Sequence, residues 1–71
     1  MEVDYRKLRG RIVEKFDSMA KFGKALGRSE SWIYKKMDGA LGLSRNEISK
    51  WCVLLEIPQA EIPEYFFKEK V

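Results

Sequence analysis

The stretch AKFGKALGRSESWIYKKMDG, residues 20–39, carries two short apolar runs at helical spacing with a glycine between them. Phe22 and Leu26 lie four positions apart before Gly27, and Ile33 and Met37 lie four apart after it, so each pair shares one face of a helix. Ser29, a residue type favoured at helix N-caps, opens the second run. Gly27 can take a positive φ at little steric cost, and Gly23 lets two helix backbones come close. The spacing predicts two short helices joined by a tight turn, the first bracing the second against the body.

Working outward, Tyr5, Leu8, Ile12 and Phe16 recur every three or four residues behind Asp4, which predicts an amphipathic helix with Asp4 as its N-cap. Gly10 weakens that helix without ending it. Asp17 and Ser18 are both cap types, and Met19 extends the apolar face of Phe22 and Leu26. Asp38 and Gly39 close the third helix, and the loop ALGL follows. Ser44 and Glu47 match the capping box, in which the serine side chain bonds a first-turn amide and the glutamate reaches back to the serine amide. Ile48, Trp51, Cys52 and Leu55 then carry the core face of a fourth helix, which Pro58 should stop at or before Ile57. Pro63 argues against a long helix beyond it, leaving one short turn over residues 59–62 and a C-terminal tail, residues 63–71, whose aromatics need cover. No strand period or repeat is present.

A chain of 71 residues holds one domain, residues 1–71, because a body this size buries only about 60% of its unfolded surface. Its 45% apolar content, with four Phe, three Tyr and two Trp, supplies one core and argues against disorder. The lone Cys52 falls on the core face and reads as an inert thiol; with no His, the usual zinc frameworks are excluded and no metal or other cofactor is expected. No apolar run approaches the roughly 18 residues of a membrane span, and the N-terminus lacks the apolar region of a signal peptide, so a cytoplasmic location is expected. Neither a small-molecule ligand nor an enzymatic activity is expected, since no nucleophile and base converge in the pattern. The net charge of +3 is uneven: residues 1–45 hold eleven Lys or Arg against six Asp or Glu, residues 46–71 three against five. A basic first part suits a polyanion-binding face, and equally a solvated helical surface.

Tandem helices of this kind are the helix-turn-helix answer to presenting one helix to a groove. Phe22, Gly23, Leu26, Gly27 and Ile33 meet its demands for apolar anchors, a small residue at the close approach and a glycine in the turn. The arrangement resembles the lambda-repressor-like family of phage and bacterial regulators, which includes Cro proteins and repressor N-terminal domains. The resemblance covers roughly residues 4–62 and is strongest over residues 19–39; LEIP, residues 55–58, is similar to the apolar-Pro link to a fifth helix. It implies an all-α fold, a compact bundle of about five short helices. Arg28 stands where the family usually has an apolar residue, Lys36 where it buries an aliphatic one, and Met19 where many members have Gln.

The resemblance also implies a recognition helix, residues 29–38, lying in the major groove of double-stranded operator DNA. Glu30, Ser31, Tyr34 and Lys35 would then face base edges: Glu accepts from cytosine N4, Ser donates or accepts, and Lys donates to guanine O6 and N7. Glu30 has an alternative role in favouring the positive N-terminus of its own helix. Lys21, Lys24, Ser29, Lys36 and Arg45 are the candidates for phosphate contacts. Trp32 either packs a thymine methyl or closes the core edge against residues 40–43, the second being preferred because a fully exposed Trp is a poor use of area. Tyr65, Phe66 and Phe67 either pair two copies on DNA as a homodimer or fold back onto their own helices. The implied function is a Cro- or repressor-like DNA-binding transcription regulator of a phage or prophage. The alternative is a small helical protein-interaction module whose basic face binds an acidic protein partner.

Overall fold

Serine caps set three helix starts in a computed structural model of the chain, which describes residues 3–38 and 42–69. The Ser18 hydroxyl accepts the Lys21 N–H at 3.1 Å and starts α2, Met19–Leu26. Ser29 accepts the Trp32 N–H at 3.1 Å and starts α3, Glu30–Met37. Ser44 accepts the Glu47 N–H at 3.2 Å while Glu47 Oε1 accepts the Ser44 N–H at 2.8 Å, the full capping box at the head of α4, Arg45–Leu55. Such caps each contribute about 1 kcal/mol by satisfying amides that have no partner within the helix.

The first helix departs from expectation. α1, Arg6–Phe16, has Tyr5 at its N-cap position, and that side chain makes no capping bond. Asp4 works one residue earlier: its carboxylate accepts the Arg6 N–H at 3.0 Å and the Arg6 guanidinium at 2.8 Å. These bonds to Arg6 hold the Asp4 carboxyl down at about 2. Asp38 caps the C-terminus of α3 as expected. Gly39 and the first residues of the ALGL loop, Ala40 and Leu41, lie outside the described residues.

The C-terminal segment is the larger departure. A 3-10 turn at Gln59–Glu61 runs directly into α5, Ile62–Phe66, with Pro63 in the first turn, where its missing N–H leaves no helical bond unmade. α5 turns Tyr65 and Phe66 inward, and they are 7% and 2% exposed. Behind it the chain pairs with the N-terminus: Val3 and Glu69 form an isolated antiparallel bridge, and the Asp4 N–H donates to the Lys68 carbonyl at 2.7 Å. Among the described residues there is no strand, and the fold is an all-α bundle of five helices.

All five helices feed one core. Leu8 and Ile12 of α1, Met19 and Phe22 of α2, Ile33 and Met37 of α3, Trp51, Cys52 and Leu55 of α4, and Tyr65 and Phe66 of α5 are buried together with Ile57. A chain of aromatic rings crosses this core: Phe16 to Phe22 at 5.1 Å, Phe22 edge-on to Trp51 at 5.0 Å, and Trp51 to Phe66 at 6.4 Å. Edge contacts of this kind add to the burial energy of each ring. Ile48, read as a core position of α4, is only half-buried at its margin. Burial pushes the Cys52 thiol above its ordinary pKa, as suits an inert core residue.

Candidate interface on the second and third helices

Helices α2 and α3 meet through bare backbone. A Cβ on Gly23 would lie 2.8 Å from the Arg28 carbonyl oxygen and 3.2 Å from that of Ser29, so only glycine allows this approach. Gly27, at φ +71, reverses the chain, with its N–H donating to Lys24 O and the Arg28 N–H to Gly23 O at 2.8 Å. This pair of bonds is the Schellman arrangement, which satisfies carbonyls left open at a helix end. With Ile33 and Met37 in the core, the opposite side of α3 faces solvent.

On that outer side Glu30, Ser31 and Lys35 are exposed. Tyr34 lies on one flank, half-buried, with the Arg9 guanidinium 5.7 Å from its ring centre. Trp32 lies on the other flank, also half-buried, between Arg28 at 4.8 Å and Lys36 at 5.1 Å. Of the two positions open to Trp32, it takes the core edge. Contact with residues 40 and 41 lies outside the described residues, although Leu43 joins the same cluster margin.

The five candidate phosphate contacts divide. Lys24 and Arg45 are exposed and make no ion pair among the described residues. Lys21 is exposed but reaches Asp17 at 3.0 Å. The Ser29 oxygen is occupied as a cap acceptor, with its hydroxyl proton still available. Lys36 is the exception. Its stem lies half-buried across Trp32 and its ammonium meets Glu47 at 2.9 Å, so it is a bridge between α3 and α4 rather than a free cation. The bond from the Ser44 amide, aided by Lys36, lowers the Glu47 pKa, so the carboxylate stays charged and the bridge persists at neutral pH.

The three aromatics considered for pairing two copies divide as well. Tyr65 and Phe66 are core residues of their own chain, because α5 lays them against α1 and Trp51. Phe67 alone remains 57% exposed. Two residues of the surface escaped the sequence reading as site candidates: Arg28, whose i, i+4 spacing to Trp32 was the available signal, and Lys50 of α4, exposed near the same flank. Among the described residues no group of three or more His, Cys, Asp or Glu side chains is placed to hold a metal ion, and no helix is long and apolar enough to cross a membrane.

What this surface offers is a short exposed helix edged by cations, of which Lys24, Lys35 and Arg45 make no ion pair among the described residues. Residues 1–69 match a family described as protein of unknown function (DUF739), and the chain belongs to that family. It is also similar to the solution structure of the modulator of repression (MOR) of the temperate bacteriophage TP901-1 from Lactococcus lactis. The two are 37% identical, the match covers 100% of this chain and 96% of the other, and the TM-score is 0.83. No curated protein matches the sequence.

Proposed function

We propose that this protein is a phage-type regulator that acts on repression by binding a protein partner through the α2–α3 surface, without a catalytic step. The observation that carries this reading is the full-length likeness, at 37% identity, to a protein named as a modulator of repression. The electrostatics agree with it. Lys21 and Lys36 are already matched by Asp17 and Glu47, which leaves Lys24, Lys35 and Arg45, among the contacts considered for DNA, as the cations with no ion pair among the described residues. Burial of Tyr65 and Phe66 also removes two of the three side chains suited to pairing two copies on an operator. An acidic protein surface requires neither a homodimer nor a long track of cations.

Operator binding in the lambda-repressor-like manner is the second reading. It is favoured by the exposure of Glu30, Ser31 and Lys35 on the outer side of α3. Calorimetric titration of the purified chain separates the two, using the repressor encoded in the same genetic element in one arm and random and operator duplexes at low salt in the other. A protein partner predicts tight binding in the first arm, weakened by Lys35→Ala. Duplex binding with a log–log salt slope of about −3, as three cations placed on the duplex would give, and no binding in the first arm would replace it by the DNA reading.

A further inference from the structure

Beside the outer side of α3 lies a small open cleft that neither reading assigns. Leu26 at the end of α2, Arg28 in the turn, Trp32 of α3, and Glu47, Lys50 and Trp51 of α4 enclose about 130 Å³. Small-molecule sites run to roughly 300 Å³ and more, so this volume suits a single side chain of a partner. Its floor is apolar, made by Leu26 and the two indoles, while Arg28 and Lys50 stand on its rim, both exposed and making no ion pair among the described residues. The one carboxylate in the wall, Glu47, is neutralised by Lys36 at 2.9 Å. The rim therefore carries uncompensated positive charge.

Arg28 is also held in place. Its guanidinium lies 4.8 Å from the centre of the Trp32 ring, a cation–π contact that restricts the side chain while leaving its N–H fork free for a carboxylate. We propose that this cleft seats a glutamate side chain of the protein partner, its carboxylate on Arg28 and Lys50 and its methylenes against Trp32. This assignment rests on the protein-partner reading and deepens it by naming what the surface recognises. A nucleic-acid phosphodiester carries the same single charge but has no short apolar stem to lay on the indole and leucine floor. Glutamate brings both parts, a single charge and an apolar stem.

The test uses the full ¹⁵N-labelled chain with three probes matched in charge: a short poly-L-glutamate peptide, poly-L-aspartate, and a random DNA duplex. Glutamate should shift the Arg28 Nε–H and Trp32 indole N–H signals and bind more tightly than aspartate. Arg28→Gln should weaken that binding about tenfold, the scale of a lost charge-assisted fork, whereas Lys68→Gln, which does not line the cleft, should leave it unchanged. Both variants change exposed side chains, and an unchanged circular dichroism spectrum verifies their fold. Equal affinity for the two peptides, an unaffected Arg28→Gln variant, or shifts at Arg28 and Trp32 caused by the duplex instead would each overturn the cleft assignment. The repressor titration is a separate readout. Repressor binding with glutamate leaving Arg28 and Trp32 unmoved ends the cleft and keeps the function, while glutamate binding without repressor binding keeps the cleft and ends the function.

Discussion

Helices α2 and α4 end in the same hydrogen-bonded geometry with opposite kinds of residue at the turn. At the end of α2, Gly27 takes φ +71 and the Arg28 N–H reaches back to Gly23 O. At the end of α4, Glu56 takes φ +55 and the Ile57 N–H reaches back to Cys52 O at 2.9 Å. Glycine makes the first turn at no steric cost, but a glutamate in the left-handed region is strained. The second end is held from outside instead. Arg11 of α1 donates to the Leu55 carbonyl at 2.9 Å and the Glu56 carbonyl at 2.8 Å, and Lys15 pairs with the Glu56 carboxylate at 3.0 Å. One turn is written in its own residue type, and the other depends on a helix forty-odd positions away. That division suits the molecule: the self-contained turn carries the exposed surface, and the braced one ties the supporting helices together.

Removing the brace should have the largest effect. Arg11→Ala deprives two carbonyls of charge-assisted bonds and is expected to cost about 2–3 kcal/mol, read as a fall in the urea midpoint. If it costs no more than an ordinary surface change, the α4 turn stands by itself and the contrast fails. Gly23→Ala comes next. Its new methyl meets backbone oxygens at 2.8 and 3.2 Å, and after the gain in helix propensity a net loss of about 1–2 kcal/mol is expected. The same change at Gly10, where nothing lies within 4 Å, should instead stabilise the protein, and this sign difference between two helical glycines isolates the close approach of α2 and α3. Gly27→Ala has room for its methyl but not the backbone conformation, and should cost about 1 kcal/mol.

Acid sharpens the contrast further. Glu56, through the Lys15 bond, and Glu47, through the Ser44 amide, have pKa values below the ordinary 4.5, and Asp4 sits at about 2 instead of 3.8. A carboxylate whose folded pKa is depressed contributes stability that is complete above its unfolded pKa and disappears as pH falls through the folded one. Thermal stability should therefore decline from about pH 4.5 down to about 2, and Lys15→Ala should flatten the upper part of that decline. The smallest effect is expected for Glu56→Gly, where relief of the left-handed strain offsets loss of the Lys15 pair and the melting midpoint rises by a few degrees. A fall instead would mean that the glutamate side chain matters more than the backbone it strains.

The elements that could be read directly are those whose causes lie within four or five residues. Ser18, Ser29 and Ser44 mark three helix starts because a cap acts on the amide three positions on, and the capping box of Ser44 and Glu47 is complete in both sequence and structure. The outward position of Ser31 and Lys35 follows from the same short range, once Ile33 and Met37 fix the inner side of α3. By contrast, α5 spans five residues, too few for a periodic signal, and a proline near its start argued against it. Its inward turn exists because Trp51 offers a ring edge for Phe66, a contact no local pattern records. The bridge from Lys36 to Glu47 was illegible for the same reason: the partner lies eleven residues on, across a loop.

The sequence alone determined the starts of α2, α3 and α4, the turn at Gly27 and the exposed side of α3, because capping bonds and left-handed turns are settled between near neighbours. Only the tertiary structure decided which cations stay free, which aromatics enter the core, and where Arg28 and Lys50 stand over an indole-floored cleft. Those outcomes depend on side chains far apart along the chain competing for the same partners, and that competition is resolved only when all five helices close on one core.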